Sequence, residues 1–169
     1  MDFYDAVKAR RSVRAYKQDS IPEDSIARIA EAVSLAPSAC NLQPFKIILV
    51  LDVEVRKRIC KVYSRDWLAQ APAIAVAIGD SSSAWKRLEG ASIVDVDVAI
   101  AMEHFVLAAA AEGLGSCWVC AFDRDAMDSA LSLRQPWRSV AVSPVGFADE
   151  GGLRELQRKP IGEVFQIVP

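Results

Sequence analysis

Apolar positions along this chain recur with two different periods. Phe3, Ala6 and Val7 are spaced for one helical face, which predicts a short helix over residues 2–9. Ile26, Ile29, Ala30 and Val33 share a second such face, with Ser20 and Glu23 at capping-box spacing before it and Pro37 ending it near 36–37. Residues 38–44 read as a polar loop. Residues 45–51 are almost continuously apolar, with Lys46 the exception, and predict a strand covered on both faces. Val55, Ile59 and Val62 mark another helix. Pro72 then introduces residues 73–78, a second interior strand, and 81–90 form a loop that leaves Trp85 exposed or half-exposed.

Residues 92–112 give the longest predicted helix, broken mainly by Asp95, Asp97, Glu103 and His104. So little polar surface requires burial, either in the domain centre or against a partner chain. Residues 116–121 predict a third strand, Asp123 caps a short helix through Leu131, and residues 139–147 predict a fourth strand in which Pro144 marks an edge or bulge. Residues 151–169 read as an extended tail whose apolar end must pack on something. Mixed helices and strands around one buried helix, without regular βαβ alternation, argue for an α+β fold in a single domain spanning residues 1–169.

Composition narrows the functions. Apolar residues make up 52% and charged residues 25%, and 20 Lys plus Arg against 22 Asp plus Glu give a net charge of −2. That balance offers no general attraction to nucleic acid or to an anionic membrane. No apolar run reaches the ~20 residues of a membrane helix and no leader pattern opens the sequence, so a cytoplasmic location is expected. The four cysteines, Cys40, Cys60, Cys117 and Cys120, are then expected as free thiols. Cys117 and Cys120 have redox or zinc spacing, but they fall on an apolar strand where positions three apart face opposite sides, and His104 is the one histidine. No metal centre is expected.

The chemistry concentrates in Arg10-Arg11-Ser12-Val13-Arg14, where three guanidinium groups and a hydroxyl lie within five residues. Such forks match the oxygens of a phosphate monoester; a solvated basic turn is the plainer alternative. Neither a G-x-G-x-x-G fingerprint nor a phosphate loop follows a strand, so any nucleotide phosphate must be held by side chains. Asp97 reads as a buried or capping acid, His104 as a partly buried helix residue, and Trp67, Trp85 and Trp137 as packing residues before stacking ones.

Four blocks in order resemble the FMN-dependent nitroreductase family: residues 10–14, residues 36–45 (Ala36-Pro37-Ser38-Ala39-Cys40-Asn41-Leu42-Gln43-Pro44-Phe45), a third from Asp97 through Gly113-Leu114-Gly115-Ser116-Cys117-Trp118-Val119, and Arg158-Lys159-Pro160. The resemblance implies a nitroreductase-like fold, with a mixed, mainly antiparallel sheet flanked by helices, in an intertwined homodimer with two interfacial FMN sites. Arg10, Arg11, Ser12 and Arg14 would bind the FMN phosphate and ribityl chain, and Arg158 and Lys159 would close over the phosphate. Pro37, Ser38, Ala39 and Asn41 would come from the second subunit. Trp118, Val119, Cys120 and Ala121 would lie along the ring, with main-chain amides near flavin N5.

The implied activity is hydride transfer from NADH or NADPH to flavin N5 and on to a nitroaromatic, quinone or similar small acceptor, by a ping-pong mechanism. The flavin supplies that chemistry, so no catalytic side chain is expected. A storage or sensing FMN protein, or a specialised flavin chemistry such as dehalogenation or flavin destruction, are the alternatives. Two departures stand out: Cys120 occupies a position where relatives often carry a glycine or an acid, and the lid insertion of larger relatives shrinks to residues 81–90.

Overall fold

The computed structural model describes residues 1–149 and 156–169. In chain order the elements are α1 (Phe3–Ala9), α2 (Glu23–Ser34), β1 (Phe45–Val50), α3 (Val53–Val62), α4 (Asp66–Gln70), β2 (Ala73–Asp80), α5 (Val94–Ala111), β3 (Gly115–Ser116), α6 (Arg124–Ala130), β4 (Trp137–Gly146) and α7 (Ile161–Val164). The four strands form one sheet in the order β1-β2-β4-β3, every named pair antiparallel. A parallel bridge from Ser12 to Ser116 extends it beyond β3.

The sequence of β2 explains the layering. All eight residues are buried, and their alternation sorts side chains by size between the two faces. Ala73, Ala75 and Ala77 face one core with Val98, Met102, Phe105, Val106 and Ala109 of α5. Ile74, Val76 and Ile78 face the other, with Ile59 of α3, Leu68 of α4 and Met127 of α6. Methyl groups on the first side let α5 lie close to the sheet. At Gly79 the approach is closest, since a Cβ there would sit 2.6 Å from Val94 Cγ2 and 2.8 Å from Val98 Cγ2.

α5 buries one stripe on the sheet, while α1 and α2 pack against it from outside. Val96 remains 49% exposed and Ile100 and Leu107 are only half-buried, so an apolar outer face is left over. His104, half-buried on the same helix, lies with Nδ1 2.9 Å from Ala32 O, one of the carbonyls that the last turn of α2 leaves open. Glu112, just past the end of α5, accepts from Arg28 Nε at 2.8 Å, Arg28 Nη2 at 2.7 Å and Ser25 Oγ at 2.8 Å, tying α2 to α5.

Several local expectations give way to tertiary context. α2 begins at Glu23 with Pro22 at its N-cap and no side-chain cap, so Ser20 lies outside the helix and the capping box does not form. β1 is the sheet edge and is mostly half-buried rather than covered on both faces. The third strand is two residues long, followed by one bridge between Val119 and Val142. Pro144 causes that break. It lies fully buried inside β4, at neither an edge nor a bulge; the register shift falls between Ala77 and Ile78. Val142 exchanges both main-chain bonds with Val119, at 2.8 and 2.9 Å. Pro144, two residues on, presents the same side without an N–H, and Cys117 N–H bonds to Ser143 Oγ at 3.1 Å instead. The apolar end of the tail is not buried on the described part of the chain: Ile161, Val164, Phe165, Ile167 and Val168 are all exposed, while 150–155 lie outside the described residues.

Two expected outcomes follow from this packing. Gly79→Ala forces a methyl group into Val94 and Val98 and lowers stability by about 1–3 kcal/mol in urea denaturation, and Val98→Ala added to it recovers part of the loss. Bonds from Arg28 and then Ser25 hold the Glu112 carboxyl at about 2, below its ordinary 4.5. Its contribution is therefore complete above pH ~4.5 and is lost as pH falls toward ~2. Melting temperatures of Glu112→Gln should fall below wild type at neutral pH and converge with it in that acid window.

Candidate functional site

The arginine cluster starts where α1 stops. Arg10 is the C-cap residue of α1, its N–H bonded to Ala6 O. Arg11 Nη1 donates to Lys8 O and, at 2.9 Å, to Arg10 O, so its guanidinium closes the end of the helix. Val13 N–H then bonds to Ser116 O at 2.9 Å, seating the segment beside β3. Gly115 permits this approach, because a Cβ there would lie 2.7 Å from Val13 Cγ2. The Arg14 guanidinium lies over Trp67, 5.8 Å from the ring centroid, and Trp67 meets Tyr63 edge-on at 5.9 Å. Trp67 therefore holds an arginine, and Trp137 likewise lies under Lys46 Nζ at 4.2 Å.

Arg10, Arg11, Ser12, Arg14, Leu156, Gln157 and Arg158 line one cavity of about 250 Å³. The two ends of the chain thus meet there, with four guanidinium groups and no acid among the described lining residues. None of the ion pairs among the described residues involves any of these four arginines. Such a cavity suits a phosphate monoester. Lys159 ion-pairs with Glu163 at 3.5 Å. Beneath the cluster, burial pushes the Cys117 thiol up, against the opposing pull of Arg14, Ser12 and Arg10. Burial likewise pushes the Tyr16 phenol up, and its hydroxyl donates to Val13 O at 2.8 Å. Sequence reasoning missed Trp67 as a support for Arg14, and Leu156 and Gln157 as cavity walls.

Residues 118–121 continue from β3. Val119 is buried and its N–H is committed to Val142 O, which removes that amide from the expected donors to a ring. Residues 117–120 lie beyond the two-residue β3 and so not on the expected strand; Cys117 is buried and Cys120 exposed. Trp118, 37% exposed, donates its indole N–H to Cys120 Sγ at 3.2 Å. Among the described residues no group of three His, Cys, Asp or Glu side chains is placed to hold a metal ion, and no helix is long and apolar enough to cross a membrane.

Residues 38–43 form a tightly bonded loop. Cys40, Asn41 and Gln43 all adopt left-handed backbone, with φ of 50°, 53° and 50°. Ser38 Oγ accepts from Gln43 N–H at 2.8 Å, and Gln43 Nε2 donates to Asn41 Oδ1 at 3.0 Å. The loop is fixed to the body at two points: Asp97 Oδ1 accepts from Ala39 N–H at 3.0 Å, and Pro44 O accepts from Asp80 N–H at 2.9 Å. Asp80 itself is held by Ser82 and Ser83, whose bonds keep its carboxyl below the usual range.

These two groups lie at opposite ends of the molecule. The loop is anchored at Asp97 and at the Asp80 end of β2, whereas Arg10 and Arg11 share a cavity with Ala110, Gly113 and Gly115 at the other end of α5. Asp97 and Ala110 are thirteen residues apart on one helix, or about 20 Å at 1.5 Å per residue. β2, running the same distance with eight residues, gives roughly 23 Å.

The family model of the nitroreductase family matches residues 7–63 and 59–147. A nitroreductase family protein of Clostridium novyi NT superposes with a TM-score of 0.83 at 30% identity, over 92% of this chain and 89% of that one. The 5,6-dimethylbenzimidazole synthase of Rhodospirillum rubrum is 28% identical over 176 residues, covering 88% of this chain and 83% of its own. The FMN reductase (NAD(P)H) of Bacillus subtilis strain 168 is 29% identical over 105 residues, 62% of this chain and 42% of its own. With its α+β sheet and its motif blocks in place, the chain belongs to the nitroreductase family.

Proposed function

We propose that the protein is an FMN-dependent NAD(P)H oxidoreductase that works as a homodimer, with each flavin bound between two copies. The observation that carries this reading is the separation just described. Arg10 and Arg11, which share the arginine cavity with Ser12, Arg14 and Arg158, lie by Ala110, whereas the loop with Pro37, Ser38, Ala39 and Asn41 is tied to Asp97, about 20 Å away along α5 of one chain. One cofactor grasped by both sets calls for a second copy to bring its loop to the first copy's arginines. The exposed apolar tail and the half-exposed outer face of α5 are the surfaces such a pairing would cover.

Relatives named NADH dehydrogenase/NAD(P)H nitroreductase and FMN reductase support flavin and nicotinamide chemistry, while others are named 5,6-dimethylbenzimidazole synthase and iodotyrosine deiodinase; the arginine-lined cavity suits the phosphate of FMN. When bound, FMN would supply the hydride-transfer chemistry that links NADH or NADPH to a nitroaromatic, quinone or similar small acceptor in a ping-pong cycle. The chain's own residues do the holding. Arg10, Arg14 and Arg158 neutralise the phosphate, with Lys159 nearby, while Arg11 shares its guanidinium with the end of α1. Ser12 sits on the bridge to Ser116 in the wall of the same cavity, and would hold the ribityl chain. Trp118, Cys120 and Ala121 would border the ring, and the main-chain amides after Val119 would supply it with donors. His104 is bound to Ala32 O and takes no part.

The direct test is anaerobic: purified protein with FMN is mixed with NADH or NADPH and the flavin band followed, then a nitroaromatic or quinone is added. Bleaching followed by recovery is expected; a bound flavin that neither nicotinamide reduces would point to storage or sensing. Arg14→Ala should weaken FMN binding at least about tenfold, as the loss of a charged bond implies, while His104→Ala turns over at nearly the wild-type rate. Subunit mixing tests the divided site. Arg14→Ala and Asn41→Ala homodimers should each bind FMN poorly, whereas co-expressed mixed dimers recover about half of the sites, one of the two being wild type throughout.

A further inference from the structure

Asp97 is 1% exposed in the first turn of α5, and among the described residues its Oδ2 is a buried side-chain atom with no hydrogen-bond partner. A buried carboxylate oxygen in that state is costly, so the side chain must serve something through its other oxygen. That oxygen, Oδ1, accepts from Ala39 N–H at 3.0 Å. Ala39 opens the segment in which Cys40, Asn41 and Gln43 hold left-handed backbone without being glycine, a conformation that persists only where the surroundings impose it. The other bonds of this segment are internal: Asn41 N–H to Ser38 O, Leu42 N–H to Ala39 O and Gln43 N–H to Ser38 Oγ. They shape the loop but do not attach it. Attachment comes from Pro44 O at one end and from Asp97 at the other.

We propose that Asp97 is the positioning residue of this loop: the Oδ1 bond to Ala39 N–H fixes the loop on the N-terminal end of α5 and so presents Ser38, Ala39 and Asn41 to the flavin of the second copy. This rests on the reading that the loop borders the flavin. The role needs an acceptor at Oδ1 and not a negative charge. A carboxylate that merely complemented the positive end of the helix would be replaced equally badly by Asn and by Ala, since both remove the charge.

The test compares Asp97→Ala, Asp97→Asn and Ala39→Pro with wild type by FMN titration and by hydrogen exchange at the amides of Asn41, Leu42 and Gln43. Ala39→Pro deletes the donor and leaves the buried acid in place; Ser38, at φ −144° and ψ 161°, already has the backbone that a following proline requires. Asp97→Ala and Ala39→Pro are expected to bind FMN about tenfold more weakly and to exchange these amides about tenfold faster, with Asp97→Asn restoring both to within about twofold of wild type. Wild-type affinity and exchange in folded Asp97→Ala overturn the proposal, as does Asp97→Asn failing as far as Asp97→Ala. Where Asp97→Ala does not fold, wild-type behaviour of Ala39→Pro overturns it. If wild type itself ignores FMN, the proposed function falls, and the exchange data alone decide whether Asp97 holds the loop.

Discussion

Ala73, Ala75 and Ala77 present only methyl groups to Val98, Met102 and Phe105, and Gly79 presents none at all to Val94 and Val98. α5 therefore lies against β2 at a distance that larger side chains would forbid, and this contact orders the rest of the molecule. Helix and strand become two rulers of nearly equal length, laid side by side. The two candidate segments are tied to opposite ends: residues 38–43 to Asp97 and Asp80, the arginine segment to Ser116 beside the far end of α5. A single packing choice in the core thus decides which functional residues a protomer can bring together and which it cannot.

Charge is distributed by the same logic. Most arginines outside the cluster are occupied in holding the fold. Arg56 donates to Ala71 O, Arg58 to Ala130 O at the end of α6, Arg124 to Ser139 O, and Arg28 and Arg138 pair with acids. Arg10, Arg14 and Arg158 differ in facing a cavity whose described lining residues include no acid. Cations gathered this closely repel one another, and an anion placed among them relieves that repulsion. Trp67 supports the arrangement from below, since its ring face attracts the Arg14 guanidinium while leaving its donors free to turn toward the cavity.

Much of this was legible in the sequence, and the exceptions have a common cause. α5 and β2 could be read because their composition admits only a buried place, and Asp123 because its cap is local: its side chain accepts from Ala126 N–H. The Ser20 cap, the long third strand and the place of Pro144 were misread because each is settled by a partner distant in sequence. Pro144 interrupts a ladder with residues 117–119, which no local pattern around it reveals. The four motif blocks identified the family. That the loop block and the arginine block sit at opposite ends of one protomer could not be read from them, because it depends on the direction in which α5 and β2 run. Nor does any sequence rule place Cys40 and Gln43 in left-handed backbone, where Asn41 alone is a usual occupant.

A site divided in this way has a thermodynamic consequence. If one copy supplies the arginines and the other the loop, the cofactor binds only the pair, and flavin binding and subunit association become linked equilibria. Each dimer would then hold two cofactors, and every flavin bound would tighten the association of the chains by the same factor by which association tightens the flavin. The apolar residues of the tail, Ile161, Val164, Phe165, Ile167 and Val168, lie just after Arg158 in sequence. A tail that packs on the second copy would therefore hold Arg158 over the phosphate cavity, so that assembly of the dimer and completion of the cation ring are one event. Exposure of these side chains in an isolated chain is what such an arrangement requires, because a tail already buried on its own core would have nothing left to contribute to the pair.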